Sequence, residues 1–260
     1  MRALITGATS GIGWHFANLL ASKKYDLVIT ARDTEKLQHI ANEFHEKYGV
    51  SVEIISADLT TDNGINLIEN KIKRLNENQN EDNGIDVLIN NAGYGLNRSF
   101  TQSEVADEIA ILRILCEAPM RLAHAVIPAM VRKNSGVIIN VSSVAAWITG
   151  GHYSAMKSYL MVLSESLHIE LAETAIKVCA LAPGFTHTEF HQRGKMKMDS
   201  LPKFMWLNAD NVVITAWEDA LAGKAISVPG RVYKALYLVT KFAPRNLVRK
   251  FGFSIRRKQR

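Results

Sequence analysis

Seven short runs of aliphatic and β-branched residues recur along this chain, separated by longer stretches with a different rhythm. The runs read RALIT (2–6), YDLVIT (25–30), VEIIS (52–56), IDVLIN (85–90), GVIINVS (136–142), IKVCALA (176–182) and GKAISV (223–228). Between them, Gly11–Lys23, Thr34–Tyr48, Asn63–Asn76, Thr101–Lys133 and Tyr153–Glu173 place apolar residues three and four apart, the period of a helix with one buried face. Strands that are apolar almost throughout predict a parallel sheet covered on both sides. Their alternation with helices predicts right-handed crossovers and an α/β, doubly wound sheet of about seven strands. The polar stretch Asn76–Gly84 reads as a turn rather than a linker, and no internal repeat is visible. One domain over residues 1–230, followed by a tail over 231–260, is the organisation expected.

Composition narrows the picture. A chain of 260 residues, 47% hydrophobic and 22% charged, can enclose one large core. No uninterrupted apolar stretch approaches the roughly 18–20 residues of a membrane-spanning helix. The N-terminus reads as a strand entering a turn, not as a secretory signal. Cys116 and Cys179 have neither metal nor disulfide spacing, which suits a reducing compartment and makes the cytoplasm the expected location. The net charge of +6 is unevenly placed. Ten Lys or Arg and no Asp or Glu lie between Arg231 and Arg260, leaving 21 basic and 25 acidic residues, net −4, in the rest.

At the first strand–helix junction stands TGATSGIG (6–13). Gly7, Gly11 and Gly13 allow a tight turn and close backbone approach to a pyrophosphate, with Thr9, Ser10 and Ile12 completing the turn at a helix N-terminus. The spacing is Gly-x-x-x-Gly-x-Gly rather than Gly-x-Gly-x-x-Gly, so a plain junction with glycines chosen for packing is the alternative. Arg32 follows the second strand, where an acid would favour a ribose 2′-hydroxyl and an arginine a 2′-phosphate, which favours NADP over NAD. Asp33 either pairs with Arg32 or faces the ribose, unless both are solvated charges opening the next helix. Asp58-Leu59, after the third strand, either edges an adenine or supplies a helix N-cap through Asp58.

Tyr153 and Lys157 lie one helical turn apart, with Ser143 ten residues before the tyrosine. A phenol with an ordinary pKa near 10 is poorly matched to neutral pH, and an ammonium four residues on favours its ionised form. Such a pair can give a proton to a carbonyl oxygen or take one from an alcohol.

Together with NNAG (Asn90–Gly93) and Pro183-Gly184, these motifs resemble the short-chain dehydrogenase/reductase family in order and approximate spacing, from Met1 to about Thr188. The resemblance implies a Rossmann fold, an NAD(P) cofactor and interconversion of an alcohol and a carbonyl. It implies Tyr153 as acid/base, Lys157 as its electrostatic partner and a ligand of the nicotinamide ribose, and Ser143 as a hydrogen-bond partner of the substrate oxygen. It further implies cofactor contacts at Asn91, Ala92 and Gly93, and at Pro183, Gly184, Thr186 and Thr188. A Pro-Gly turn without a ligand fits that last segment equally well. Homo-oligomerisation through the central helices is implied in the same way.

Two features depart from the family. The loop VAAWITGGH (144–152) is shorter than usual, which alters the pocket wall. Leu115 aligns where the family often has an Asn whose water links the lysine to solvent. Either another group serves that relay, or the alignment slips, or catalysis is slow.

Beyond Thr188, Phe190, Met196, Met198, Phe204, Met205 and Trp206 either form an apolar lid over about 188–210 or pack onto the domain. With Trp147 they suggest a bulky apolar carbonyl or alcohol as substrate. His152, His187 and His191 lack metal-ligand spacing, and no metal site is expected. The basic tail mixes aromatic and aliphatic residues, so it either docks on the domain or lies on an anionic membrane surface. No nucleic-acid-binding motif accompanies it, and no nucleic-acid partner is expected. Two rival readings are a nucleotide-binding protein with weak or lost catalysis, and a membrane-associated protein that acts through the tail.

Overall fold

A computed structural model describes residues 1–77, 84–96, 98–188, 202–244 and 246–248. Strands β1 (Arg2–Thr6), β2 (Asp26–Ala31), β3 (Val52–Ser56), β4 (Val87–Asn90), β5 (Val137–Val141), β6 (Lys177–Leu181) and β7 (Ile226–Ser227) form one sheet in the order β3-β2-β1-β4-β5-β6-β7. Every pairing is parallel. β4 and β5 are buried at every position, as strands covered on both faces must be.

Helices α1 (Gly11–Ser22), α2 (Thr34–Tyr48) and α7 (Ala209–Leu221) enclose one apolar cluster, where Phe16, Leu20, Phe44 and Trp217 pack on Ile5, Ile29 and Ile139. Helices α3 (Asp62–Glu77), α5 (Ala118–Lys133) and α6 (His152–Glu170) enclose the other, with Ile65, Ile68, Leu122 and Val126 against Leu4, Leu88 and Ile138. This is the Rossmann-type doubly wound arrangement. Local chemistry sets the ends of these helices. Asp33 accepts a hydrogen bond from the Lys36 amide to cap α2, and Gly49 ends it in the left-handed region at φ 67°. Thr61 caps α3 by accepting from the Gly64 amide at 3.1 Å, so Asp58 is not the cap of that helix.

Two elements differ from the expected pattern. The stretch anticipated as one helix over Thr101–Lys133 begins at Val105. It runs as α4 (Val105–Leu112), a π turn (Arg113–Glu117) and α5. By length and composition this 29-residue helix, in its most apolar 18-residue window, could cross a membrane, although charged residues break every long apolar run. Half of that window is buried, as in the core helix of a layered domain. The first part of the expected tail forms α8 (Arg231–Phe242), whose Tyr233 is 1% exposed.

Candidate active site

A cleft of roughly 1020 Å³ runs along the carboxyl ends of the central strands, and its floor begins at the β1–α1 turn. Gly7 and Gly11 adopt φ of 68° and 55°, which a side chain would resist. A Cβ on Gly13 would lie 2.3 Å from the Gly7 carbonyl oxygen, so only glycine lets the helix start so close to the turn. Gly7, Thr9, Ser10, Gly11 and Ile12 line the cleft, whereas Gly13 packs beneath it. Ser10, the N-cap of α1, does not cap with its side chain, and the positive end of the helix dipole is aimed at the cleft.

The NNAG segment is fastened to this turn. The amides of Asn91 and Ala92 donate to Thr6 Oγ1 at 2.9 and 3.0 Å. Asn91 Nδ2 donates to the carbonyls of Thr6 and Gly7 at 2.9 and 3.2 Å. Beneath it, Asn90 Nδ2 donates to Asn140 Oδ1 at 2.8 Å and Asn140 Nδ2 to Ser164 Oγ at 2.9 Å, a buried chain joining β4, β5 and α6. Asn91, Ala92 and Gly93 thereby form the wall facing the turn.

At the far end of β2, Arg32 and Lys36 both line the cleft and both are exposed. Asp33, committed to capping α2, lies 4.0 Å from Lys36 Nζ through its other oxygen. The expectation for Arg32 thus gains a second cation that sequence reasoning missed. Its signal was available, since Lys36 lies one turn beyond Arg32 on the first turn of α2. Asp58 and Leu59 line the same end, with Asp58 Oδ1 accepting from the amide and hydroxyl of Thr60.

Ser143, Tyr153 and Lys157 converge in the middle of the cleft. Ser143 leaves β5 and opens a 3-10 turn (Val144–Trp147), where its Oγ accepts from the Ala145 amide at 3.1 Å. Gly151, at φ 91°, turns the short loop into α6. The shortened loop therefore leaves the two hydroxyls in reach, and Ser143 hydrogen-bonds Tyr153. Burial of the hydroxyl end holds the Tyr153 phenol well above its ordinary value, and the Ser143 bond opposes this only in part. Lys157 Nζ donates to the Val141 carbonyl at 2.7 Å and stands 5.7 Å from the Tyr153 ring centroid. Burial brings the ammonium down to about 8, with the nearby Cys116 opposing. Lysine beside tyrosine was expected to favour the phenolate; in this arrangement burial raises the phenol instead, and the influence that opposes it is the Ser143 hydrogen bond.

Next to the tyrosine, His152 Nδ1 pairs with Glu108 Oε2, whose other oxygen accepts from the Ser103 hydroxyl. Leu115 is 1% exposed and packs with Ile111, Cys116 and Met156, with Tyr153 against the same cluster. A Cβ on Gly93 would lie 2.4 Å from Leu115 Cδ2.

The loop after β6 closes the opposite side. Pro183, Gly184, Thr186 and Thr188 line the cleft, and Thr188 Cβ lies 3.1 Å from where a Cβ on Gly11 would stand. A Cβ on Gly184 would meet the Tyr233 ring at 2.0 Å. The Tyr233 hydroxyl accepts from the Phe185 amide at 3.0 Å and donates to the Met205 carbonyl at 2.7 Å. Leu96, Ile114, Trp147, Met205, Leu236 and Thr240 line the remaining, largely apolar wall. Trp147 packs on Tyr237 with ring centroids 4.7 Å apart and donates to Met161 Sδ. Of the expected lid, Met205 reaches the cleft, Phe204 is 68% exposed and Trp206 stacks on His187. Phe190, Met196 and Met198 lie outside the described residues, as does His191.

These features fit a dinucleotide. The glycine turn and helix N-terminus suit a pyrophosphate, the cationic end suits a phosphorylated ribose, and a half-buried tyrosine and a buried lysine stand midway along the cleft.

A family model for short chain dehydrogenases matches residues 1–198, and the chain belongs to that family. Its members are oxidoreductases acting on CH–OH and C=O groups with NAD(P). A very-long-chain 3-oxoacyl-CoA reductase-like protein of Arabidopsis thaliana is 33% identical over 195 residues, covering 72% of this chain and 60% of that protein's own length. Among solved structures, a short-chain dehydrogenase from Sphingobium yanoikuyae in complex with NADPH is 31% identical with a TM-score of 0.83, covering 95% of this chain and 94% of the other. The bulky-bulky ketone specific alcohol dehydrogenase from Comamonas testosteroni is 27% identical with a TM-score of 0.78, covering 92% and 90%.

Proposed function

We propose that this protein is an NADP(H)-dependent oxidoreductase that interconverts a carbonyl and a secondary alcohol on a bulky, largely apolar molecule. The observation that carries this reading is the meeting of Ser143, Tyr153 and Lys157 midway along one cleft. A phosphate-binding turn lies at one end of that cleft and an apolar wall at the other. Gly7–Ile12 would hold the pyrophosphate, Arg32 and Lys36 the 2′-phosphate, Lys157 the nicotinamide ribose, and the Pro183–Thr188 loop the nicotinamide side. When bound, the nicotinamide supplies or accepts the hydride.

The residues of the chain do the rest. Ser143 donates to the substrate oxygen and fixes it beside Tyr153. In reduction the Tyr153 hydroxyl gives its proton to that oxygen as negative charge develops there, and burial keeps the phenol protonated for the task. In oxidation the Tyr153 oxygen, ionised, takes the proton from the alcohol hydroxyl, aided by the Lys157 ammonium beside the ring. Leu96, Ile114, Trp147 and Leu236 exclude water and select apolar groups. The NADPH complex and the bulky ketone specificity named for the two solved relatives support this reading of cofactor and substrate class. Exposed apolar residues on the long helix and on α6, among them Ile109, Leu112, Val162 and Ile169, support a homo-oligomer.

The test follows NADPH loss against a panel of bulky apolar ketones, comparing wild type with Tyr153→Phe. A loss of at least about a hundredfold in kcat, with NADPH still bound, is expected. Equal rates for the two proteins would end the role of Tyr153.

A further inference from the structure

Helix α8 carries two apolar faces where a surface helix ordinarily carries one. Tyr233, Leu236, Tyr237 and Thr240 face inward, against the Gly184 loop, Trp147 and the cleft. With each residue turning about 100°, Val232, Ala235, Leu238, Val239 and Phe242 fall on the opposite side. Leu238, Val239 and Phe242 are 55%, 61% and 79% exposed. Beyond the helix, Leu247 is 59% exposed. Lys234 and Lys241 border one edge of this outer face and Arg231 stands at its N-terminal end, all three exposed, and the chain from Arg231 onward carries ten basic residues and no acidic one.

We propose that α8 docks this protein on an anionic lipid surface through its outer face. Charge names the occupant. Lysines and arginines beside an apolar stripe match a layer of negative headgroups above acyl chains. A nucleic-acid backbone would engage the charges but leave Leu238, Val239 and Phe242 in water. A second copy docked through the same face would set one basic surface against another. Leu236 and Thr240, on the same helix, line the cleft. Docking through the outer face therefore holds the substrate wall at the bilayer. Resting on the function proposed above, the substrate is then a lipophilic carbonyl compound that partitions into membranes.

The test uses the full-length chain co-sedimented with vesicles of phosphatidylcholine alone or mixed with phosphatidylserine. Wild type is expected to sediment with the mixed vesicles, and less as salt is raised. Leu238→Ser with Val239→Ser and Phe242→Ser should lower partitioning by about tenfold or more. Lys234→Glu with Lys241→Glu should lower it by about fivefold or more, on anionic vesicles only. Both variants should keep wild-type melting temperatures and NADPH-dependent turnover of a dissolved ketone. Docking is overturned by equal sedimentation with the two vesicle types, or by unchanged sedimentation of both variants. Binding of duplex DNA without vesicle binding also overturns it, as does a triple variant altered only in oligomeric state. Vesicle binding needs no turnover, so a protein that docks but reduces nothing refutes the proposed function and leaves docking standing. One that reduces ketones but never sediments does the reverse.

Discussion

Leu115 occupies the space that a side chain at position 93 would need, its Cδ2 lying 2.4 Å from where a Cβ on Gly93 would stand. The two residues interlock at the back of the NNAG wall, inside the cluster of Ile111, Cys116 and Met156 that also supports Tyr153. Leucine here is part of the packing under the tyrosine. Leu115→Asn, which places there the residue expected from the family resemblance, is expected to bury an amide among apolar side chains at a cost of about 2–4 kcal/mol. Thermal unfolding should show a drop of roughly 5–10 °C. Steady-state kinetics should show no gain in kcat; a faster and equally stable variant would reverse this view of position 115.

Arg32 and Lys36 give the cofactor end two cations where the sequence drew attention to one. Arg32→Ala and Lys36→Ala should each weaken NADP binding by about tenfold and leave NAD binding within about twofold, as expected for charges that meet only the 2′-phosphate. Titration of intrinsic fluorescence with both cofactors checks the difference, and parallel losses for NADP and NAD would remove these residues from cofactor choice.

Lys157 is buried with its ammonium lowered to about 8 from an ordinary 10.5. Between those values the unfolded chain holds more of the proton than the folded one, so folding stability from this group rises with pH. The contribution is complete above about 10.5 and is lost as pH falls through about 8. Lys157→Met removes this dependence. At pH 7 the variant should melt at or above the wild-type temperature, and the advantage should shrink as pH rises toward 10. It should also lose most turnover. Matched melting curves at pH 7 and 9.5 test it, and a constant offset between the proteins would contradict the buried ammonium.

Tyr233 joins the loop after β6 to the turn at Lys203–Met205 through one hydroxyl, which accepts from Phe185 and donates to Met205. Tyr233→Phe keeps the ring over Gly184 but leaves two backbone groups without that partner, at a cost of about 1–3 kcal/mol. The expected signature is a raised KM for cofactor and ketone together, with kcat changed less than either. Deleting residues 231–260 outright would expose Gly184 and open the cleft wall.

The sheet and the glycine turn were legible because strands covered on both faces leave near-continuous apolar runs, and because the turn needs glycine at positions such as Gly7 and Gly11 for backbone reasons. Ser143, Tyr153 and Lys157 were legible through spacing, since a strand end and one helical turn bring them together without long-range information. Leu236 and Thr240 were not, because their place in the cleft depends on Tyr233 finding Gly184 nearly fifty residues away. The ambiguity at Asp33 was resolved only by the fold, which commits its side chain to the Lys36 amide. Nor did the composition of RILCE (113–117) distinguish a π turn from an ordinary helix, because the same residues suit both.

That π turn seats one residue more than an α-helical turn, so the positions before and after it are out of step by about a third of a rotation. Val105–Leu112 and Ala118–Lys133 each present the face their own packing requires, and Arg113–Glu117 absorbs the difference. A single-residue deletion in the turn would restore an even helix while swinging everything on one side of it away from its partners. A single-residue insertion elsewhere in the helix would have the opposite sign. What occupies the space behind Gly93 is therefore governed by the length of the helix as much as by the amino acid at 115. Changes in chain length, rather than point substitutions, are the step by which this wall of the cleft would be remodelled.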